Sequence, residues 1–232
     1  GTNKYAGMAI GYSAVNHGGY SIAIGMYSAN TGATTSAPGT SQIAIGMGQT
    51  VNSGASTAVI IGSYARADTA DSDKAVAIGT YAYGKGQYAV AVGYRTAVSG
   101  HSGVAVGRNN TIHASAADAI CIGNAASTNN ANSSFAIAIG HDTDANATSS
   151  IAIGDNAQND STNSIAIGHD TDINSTAFST VVIGDGASAN GSDRSVVIGN
   201  GTNSDADDQV LIGSLVKGTV AKVTEIGYWS DA

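Results

Sequence analysis

Two identical His-Asp-Thr-Asp strings, residues 141–144 and 169–172, show the clearest pattern for chemistry in this chain. They lie 28 residues apart, so in a fold that repeats every 14 residues both fall on one edge, with Asp155 between them. Carboxylates arranged in this way suit Ca²⁺, which takes several oxygen ligands at once. The alternative is an acidic, solvated turn in which each histidine makes local hydrogen bonds. No calcium-binding nonapeptide is present, which favours the second interpretation, and we predict no metal site.

Tyrosines and basic residues concentrate in the first half of the chain. Nine of the ten tyrosines lie in the first 94 residues, and residues 1–116 carry a net charge of +3 against −11 for the rest. Tyr and Arg often dominate binding energy at protein interfaces. We therefore predict an outward-facing surface that binds a collagen-like matrix protein or a cell-surface receptor. Its candidate residues are Tyr64, Tyr81, Tyr83, Lys85, Tyr88, Tyr94, Arg95 and Arg108. The alternative is that tyrosine simply occupies exposed strands, where its propensity is high.

Catalysis finds little support in the sequence. All five histidines lie in predicted turns, and no nucleophile elbow, zinc-ligand spacing or phosphate-binding loop occurs. No pair of carboxylates stands out for glycoside hydrolysis. The net charge of −8 disfavours nucleic acid. We expect no catalytic residue, no cofactor and no nucleic-acid partner.

A ladder of glycines dictates the elements that must position these residues. Fourteen times an apolar triplet ends in glycine, at Gly11, Gly25, Gly46, Gly62, Gly79, Gly93, Gly107, Gly123, Gly140, Gly154, Gly168, Gly184, Gly199 and Gly213. All but one of the intervals are 14 to 17 residues long, which predicts one small unit stacked many times. With two Phe and one Trp, the chain lacks the large side chains of a thick core.

Each triplet has the alternation of a β-strand. Its first and third residues are usually Ile or Val, as in Ile22 and Ile24, with Ala most often between them. A weaker alternation after the glycine, as in Ala65 and Ala67, predicts a second strand with one covered and one exposed face. Two short strands and two turns make one flattened coil. The sequence thus predicts an all-β parallel roll of about fourteen coils.

The middle residue of each triplet is predicted to form an interface between chains. We expect the Ile/Val pair to fill the coil, so that the middle residue points outward in an apolar stripe. A soluble monomer rarely exposes such a stripe, and cyclic homo-oligomers commonly cover one. The predicted interface residues are Ala23, Ala44, Ala77, Ala91, Ala105, Cys121, Ala138, Ala152, Ala166, Val182, Val197 and Leu211. Cys121, the single cysteine, is expected to be a buried small apolar residue.

Three segments carry a family resemblance: NSIAIGHDTDINS at 163–175, SSIAIGDNAQNDS at 149–161 and YSIAIGMYSAN at 20–30. They resemble the NSVAIGxxS repeats of the YadA-like heads of trimeric autotransporter adhesins, over residues 5–213. The resemblance implies a left-handed parallel β-roll, a homotrimer and a stalk anchored in the outer membrane. It implies a non-enzymatic head at the bacterial cell surface that attaches to host extracellular matrix or to other cells.

The chain departs from that family after the last triplet. No neck sequence follows, so residues 214–232 are expected to be a C-terminal β-like cap or a junction. Membrane contact is expected only through an anchor region outside this sequence. A trimeric shaft or receptor-binding segment of a phage tail fibre is the alternative identity. The insertion at residues 31–42 is expected to form a projecting loop, either a contact site or a tolerated insertion.

Overall fold

The computed structural model describes residues 7–16, 20–30, 41–51, 55–67, 69, 71–128 and 133–231. Every regular element in that part of the chain is a β-strand. The chain divides into two units, Gly1–Ala114 and Ser115–Ala232, and each is a parallel β-solenoid built from the same two-stranded coil. About fourteen coils occur in the two units together, which confirms the predicted all-β parallel architecture.

The first unit contains strands β1 to β14, numbered along the chain. One sheet, called the first sheet, consists of β1 Met8–Ile10, β3 Ile22–Ile24, β5 Ile43–Ile45, β7 Val59–Ile61, β9 Val76–Ile78, β11 Val90–Tyr94 and β13 Val104–Arg108. The second sheet consists of β2 Val15–Asn16, β4 Ala29–Asn30, β6 Thr50–Val51, β8 Arg66–Ala67, β10 Tyr83–Gly84, β12 Ala97–Val98 and β14 Thr111–Ile112. Each strand pairs in parallel with its counterpart in the next coil.

The second unit repeats this arrangement with strands β15 to β29. Its first-sheet strands are β15 Ile120–Asn124, β17 Ile137–His141, β19 Ile151–Asp155, β21 Ile165–Ile167, β23 Val181–Ile183, β25 Val196–Ile198, β27 Val210–Ser214 and β29 Thr224–Tyr228. Its second-sheet strands are β16 Ser127–Thr128, β18 Asp144–Ala145, β20 Gln158–Asn159, β22 Asp172–Ile173, β24 Ser188–Ala189, β26 Asn203–Ser204 and β28 Lys217–Gly218.

The repeat glycines lie directly on one another, and their close approach explains why no other residue takes this position. Gly140 pairs with Gly154 in the register of β17 and β19. Gly154 has a φ of +150°, and a Cβ built on it would overlap the carbonyl oxygen of Gly168 in the next coil. A side chain at this position would therefore push neighbouring coils apart.

The middle residues of the triplets point into the coil, not out of it, so their predicted place in an interface between chains is wrong. All twelve are 0% exposed within one chain, so none of them has side-chain surface left for a sister chain. These residues are Ala23, Ala44, Ala77, Ala91, Ala105, Cys121, Ala138, Ala152, Ala166, Val182, Val197 and Leu211. Strand alternation fixes two faces but does not say which one is inside, and both faces are apolar here. Each triplet contributes one residue to the flattened interior, which it shares with buried second-strand residues such as Ala67 and Val98, and Ala is the commonest residue there.

The Ile and Val side chains therefore form the outer face of the first sheet. Most of them are half-buried, Val106 and Ile122 are 37% and 40% exposed, and Ile10 and Ile226 in the first and last coils are 54% and 72% exposed. The second strands match the prediction of one covered and one exposed face, since Ala67 is buried while Arg66 is exposed. Polar residues in the interior bond to the backbone: the Thr143 hydroxyl donates to the Gly154 carbonyl at 2.9 Å, and the Thr202 hydroxyl to the Gly213 carbonyl at 2.9 Å.

The solenoid continues beyond the last predicted triplet. Strand β29 pairs with β27, Gly227 lies on Gly213, and Glu225 takes the inward position that Leu211 holds in the preceding coil. The sequence signal was the 14-residue interval from Gly213 to Gly227, but a charged residue in the middle position hid the triplet.

Candidate functional site

The two residues after each repeat glycine make a tight corner, called the first corner. The second of them has a left-handed backbone: φ is 54° at Tyr64, 58° at Tyr81 and 52° at Arg95. The Tyr81 N–H donates to the Ser63 carbonyl at 2.9 Å, and the Arg95 N–H to the Thr80 carbonyl at 3.0 Å. Because successive coils repeat this geometry, the side chains of the first corner stack above one another.

In the first unit this stacking aligns Gly48, Tyr64, Tyr81 and Arg95 in a column, called the tyrosine column, in which the last three present aromatic and basic side chains. The Tyr64 and Tyr81 rings are parallel within 9°, with centroids 5.4 Å apart. The Arg95 Cζ lies 5.9 Å from the Tyr81 centroid and 5.3 Å from that of Tyr94. The Tyr64 ring covers Gly48, and a Cβ added to Gly48 would lie 2.8 Å from Tyr64 Cε1.

The prediction that these tyrosines face outward is confirmed. Tyr64, Tyr81 and Tyr94 are 46%, 49% and 41% exposed. Arg108 lies beside Tyr94 in the register of β11 and β13, and it is exposed too. Five of the eight predicted binding residues thus share the first corner of one unit.

Tyr83 lies elsewhere, on the outer face of the second sheet. The Arg66 guanidinium stands over its ring, with Cζ 4.4 Å from the centroid. Such a cation–π contact holds the guanidinium in place at a partly exposed site. Arg66 was not among the predicted residues. It is found by aligning coils, since Arg66 and Tyr83 both come four residues after a repeat glycine.

Tyr88 lies at the second corner, formed by the residues five and six positions before each glycine. The Lys74 ammonium donates to the Tyr88 hydroxyl at 2.9 Å and stands 4.6 Å from its ring centroid. The hydrogen bond to the Tyr88 hydroxyl is the main reason that the pKa of Lys74 lies above its ordinary value, and the nearby Asp73 carboxylate adds to it. His101 packs on the other side of Tyr88, with ring centroids 5.5 Å apart.

Lys85 lines a groove of about 420 Å³ beside the second corner, together with Asp71, Asp73 and His101. The hydrogen bond from the Ser56 hydroxyl is the main reason that the pKa of Asp73 lies below its ordinary value. This groove holds both signs of charge. The eight predicted residues therefore occupy three sides of the first unit and do not form one surface.

In the second unit the first corner carries an alternating row of histidine and aspartate. The His141 Nδ1 is 2.8 Å from the Asp155 Oδ1, and the His169 Nδ1 is 2.7 Å from the Asp185 Oδ1. Asn156 Nδ2 donates to Asp170 Oδ1 at 2.7 Å. The structure confirms that the two His-Asp-Thr-Asp strings lie on one edge. The hydrogen bonds of both histidines join successive coils.

The aspartates determine the ionisation of these histidines. The hydrogen bond to Asp155 raises the pKa of His141, and the charge of Asp142 adds to it. The hydrogen bond to Asp185 raises the pKa of His169, with Asp170 adding to it. Among the described residues no group of three or more His, Cys, Asp or Glu is arranged to hold a metal ion. The row is a set of charge-assisted bonds between coils.

Cys121 is buried in the interior, as predicted for a small apolar residue, and burial raises the pKa of its thiol to about 12. A thiol that stays protonated and covered is chemically inert. None of the described residues forms a helix with the length and apolar character of a membrane span. Residues 31–40, most of the predicted projecting loop, lie outside the described residues.

Comparison with known proteins gives one family. The family model described as YadA head domain repeat (2 copies) matches residues 4–28, 85–110 and 135–157. The matches fall in both units and include Tyr94 and Arg95 in the first and His141 and Asp155 in the second. No curated protein matches the chain.

Proposed function

Since the chain contains a YadA-like head domain, we propose that it is a non-enzymatic adhesin head, presented at a bacterial cell surface, that attaches to host extracellular matrix or to other cells. The observation that carries the proposal is the tyrosine column with Tyr94 and Arg108 beside it. It combines exposed aromatic rings with guanidinium groups along one edge. Stacking on neighbouring coils holds these rings before a partner arrives, which lowers the entropy cost of binding.

Assembly as a homotrimer of left-handed rolls belongs to the same proposal, through a different face from the one predicted. The outer face of the first sheet presents two rows of Ile and Val side chains, most of them half-buried, on six of the seven strands in the first unit and seven of the eight in the second. Contiguous apolar faces of this size are usually covered in soluble proteins. A sister chain that repeats the same surface is the natural cover.

Both corners and the second sheet then stay open to solvent. A matrix protein of extended, collagen-like shape, or a cell-surface receptor, is the partner that a long repetitive edge suits. Many weak contacts along such an edge add up when the partner spans several coils.

Adhesion is tested with the triple variant Tyr64→Ser, Tyr81→Ser and Tyr94→Ser, measured as binding to immobilised collagen, fibronectin and laminin and to cultured cells. We expect adhesion to fall at least about tenfold, the loss typical of removing central aromatic anchors. The matched control is Phe135→Ser, because Phe135 is a 59% exposed aromatic residue of the second unit. Unchanged adhesion of the triple variant, with its circular dichroism spectrum intact, would refute the proposed surface.

Assembly is tested by light scattering on Val90→Asp with Val92→Asp. A charge pair on the outer face of the first sheet should convert a trimeric mass into a single-chain mass. The control places the same charges on the second sheet, at Ala97→Asp with Thr111→Asp. A trimeric mass that survives the first-sheet charges would show that this face is not the interface.

A further inference from the structure

A groove of about 470 Å³ lies in the first unit between the tyrosine column and the second sheet. Its walls are Tyr64 and Tyr81 on one side and Thr50 and Arg66 on the other, with Gly48 at one end. This volume falls within the range of small-ligand sites. The groove is separate from the mixed-charge groove at the second corner.

Packing fixes both walls before any ligand arrives. The Tyr64 ring lies between Gly48 and the Tyr81 ring, which is 5.4 Å away. On the opposite wall the Tyr83 ring supports the Arg66 guanidinium from below at 4.4 Å. Tyr83 thus acts as a positioning residue, since it holds Arg66 without lining the groove.

The chemistry of the lining selects the class of ligand. Arg66 brings the only charge among the described residues that line the groove, and the charge is positive. A guanidinium binds a carboxylate through two parallel hydrogen bonds. The hydroxyls of Thr50, Tyr64 and Tyr81 donate and accept, which suits a ligand rich in hydroxyl groups.

The ring faces of the tyrosines are largely used within the column. Tyr64 stacks on Tyr81, and the Arg95 guanidinium lies 5.9 Å from the Tyr81 centroid. The groove therefore offers ring edges and hydroxyls to a ligand, together with one cation. An acidic peptide would bring a carboxylate but few hydroxyl groups to match this wall.

The length of the groove agrees with a short saccharide. Gly48, Tyr64 and Tyr81 belong to three successive coils, and parallel strands lie about 4.8 Å apart, so the groove extends over about 10 Å. That is the length of two linked sugar rings. We propose that this groove binds a saccharide carrying a carboxylate, with the carboxylate on Arg66 and the ring hydroxyls on Thr50, Tyr64 and Tyr81.

The inference rests on the proposed adhesive function and names a ligand class for it. Carboxylated sugars have two common sources on animal cells, sialic acids at glycan ends and uronic acids within matrix polysaccharides. Both present a carboxylate together with several hydroxyl groups. Sialyllactose, a hyaluronan tetrasaccharide and neutral lactose therefore serve as separate probes, each titrated into the full chain by calorimetry.

We expect at least one acidic probe to bind and lactose to bind at least about tenfold more weakly, as the loss of a charged hydrogen-bonded pair predicts. Arg66→Gln should weaken the acidic probe by a similar factor. Arg194→Gln removes the same charge from an exposed arginine of the second unit, and it should change the affinity by less than about twofold. Tyr83→Ser should weaken binding partly, since Arg66 loses its support but keeps its charge.

Four results would overturn the inference: no acidic saccharide binds, lactose binds equally well, Arg194→Gln weakens binding as much as Arg66→Gln does, or a poly-glutamate peptide binds in preference to both acidic probes. Cell adhesion separates this failure from failure of the proposed function. If the triple tyrosine variant loses adhesion while parental adhesion withstands enzymatic removal of sialic and uronic acids, the saccharide inference fails and the adhesin function stands.

Discussion

Replacing one repeat glycine by alanine should disrupt the stacking of coils far more than replacing a glycine at a corner. Gly154 and Gly186 make a matched pair, because both have positive φ and both lie in the second unit. A Cβ on Gly154 would overlap the Gly168 carbonyl oxygen, whereas a Cβ on Gly186 would meet nothing within 4 Å. The pair therefore separates steric collision from backbone preference.

The size of the effect follows from the geometry. At Gly186 an alanine must hold a φ of +62°, which costs about 1 to 2 kcal/mol, and the less flexible unfolded chain offsets about 0.4 to 1 kcal/mol of that. At Gly154 the φ of +150° is nearly restricted to glycine and costs about 1 to 3 kcal/mol. The coils must also separate, which strains the 2.9 Å bond from the Gly168 N–H to the Ile153 carbonyl, worth about 1 kcal/mol. These costs sum to about 2 to 4 kcal/mol for Gly154→Ala, or about 1 to 3.5 kcal/mol of lost unfolding free energy after the same unfolded-chain offset, whereas Gly186→Ala should lose at most about 1.5 kcal/mol.

Urea denaturation followed by circular dichroism measures this difference, with native-state hydrogen exchange to report which coils open. Exchange should accelerate most in the coils beside residue 154, because each coil contacts only its neighbours. Equal destabilisation by the two substitutions, or no local change in exchange around residue 154, would refute the account of the glycine ladder.

Three further predictions concern other parts of the fold. Ala152→Ile should destabilise the chain by about 1 to 3 kcal/mol through overpacking, whereas Ile151→Thr on the outer face should keep the coil folded. Thermal denaturation measures both effects. A larger loss of stability in Ile151→Thr than in Ala152→Ile would indicate that the alanines point outward. The pKa of His141 measured by NMR titration should lie above its ordinary value and should fall in Asp155→Asn. A raised folded-state pKa adds stability below the unfolded-state pKa, and this stability is lost as pH rises through the folded-state pKa. The melting temperature of the parental protein should therefore fall as pH rises over that interval, and a flat profile would contradict the His141–Asp155 hydrogen bond. Cys121, with its pKa raised to about 12, should resist iodoacetamide at pH 8 until the chain is denatured; rapid labelling of folded protein would contradict its burial.

Period and alternation were enough to predict the coil, since the repeat glycines and the Ile and Val pairs recur at nearly constant spacing. They were not enough to orient it, because Ala23 and its two isoleucine neighbours are all apolar. Which of them faces inward depends on how closely the two sheets approach, and the alternation within a single strand does not contain that distance. Gly227 was missed for a local reason, the charge of Glu225 in the middle position.

The sequence predicted the position of some candidate binding residues correctly and not that of others. Tyr64, Tyr81 and Tyr94 follow their glycines by one or two residues, so position within the coil was sufficient to predict their exposure. Tyr83, Lys85 and Tyr88 lie close in sequence to these residues but on other sides of the coil. A coil of about 14 residues turns the chain through a full circuit, so sequence proximity does not imply a common surface. Aligning positions between coils would have paired Arg66 with Tyr83.

The left-handed residue of the first corner has a consequence for how such a protein changes over generations. Its bond to the coil before it is made by the backbone, and the described positions hold Tyr, Arg, Asn, Asp, Gly, Leu, Ser, Ala and Trp with nearly the same φ. Amino-acid replacement along this edge therefore alters the chemistry that the edge presents while leaving the fold intact. In the proposed adhesin, contact chemistry or antibody recognition would then change one coil at a time.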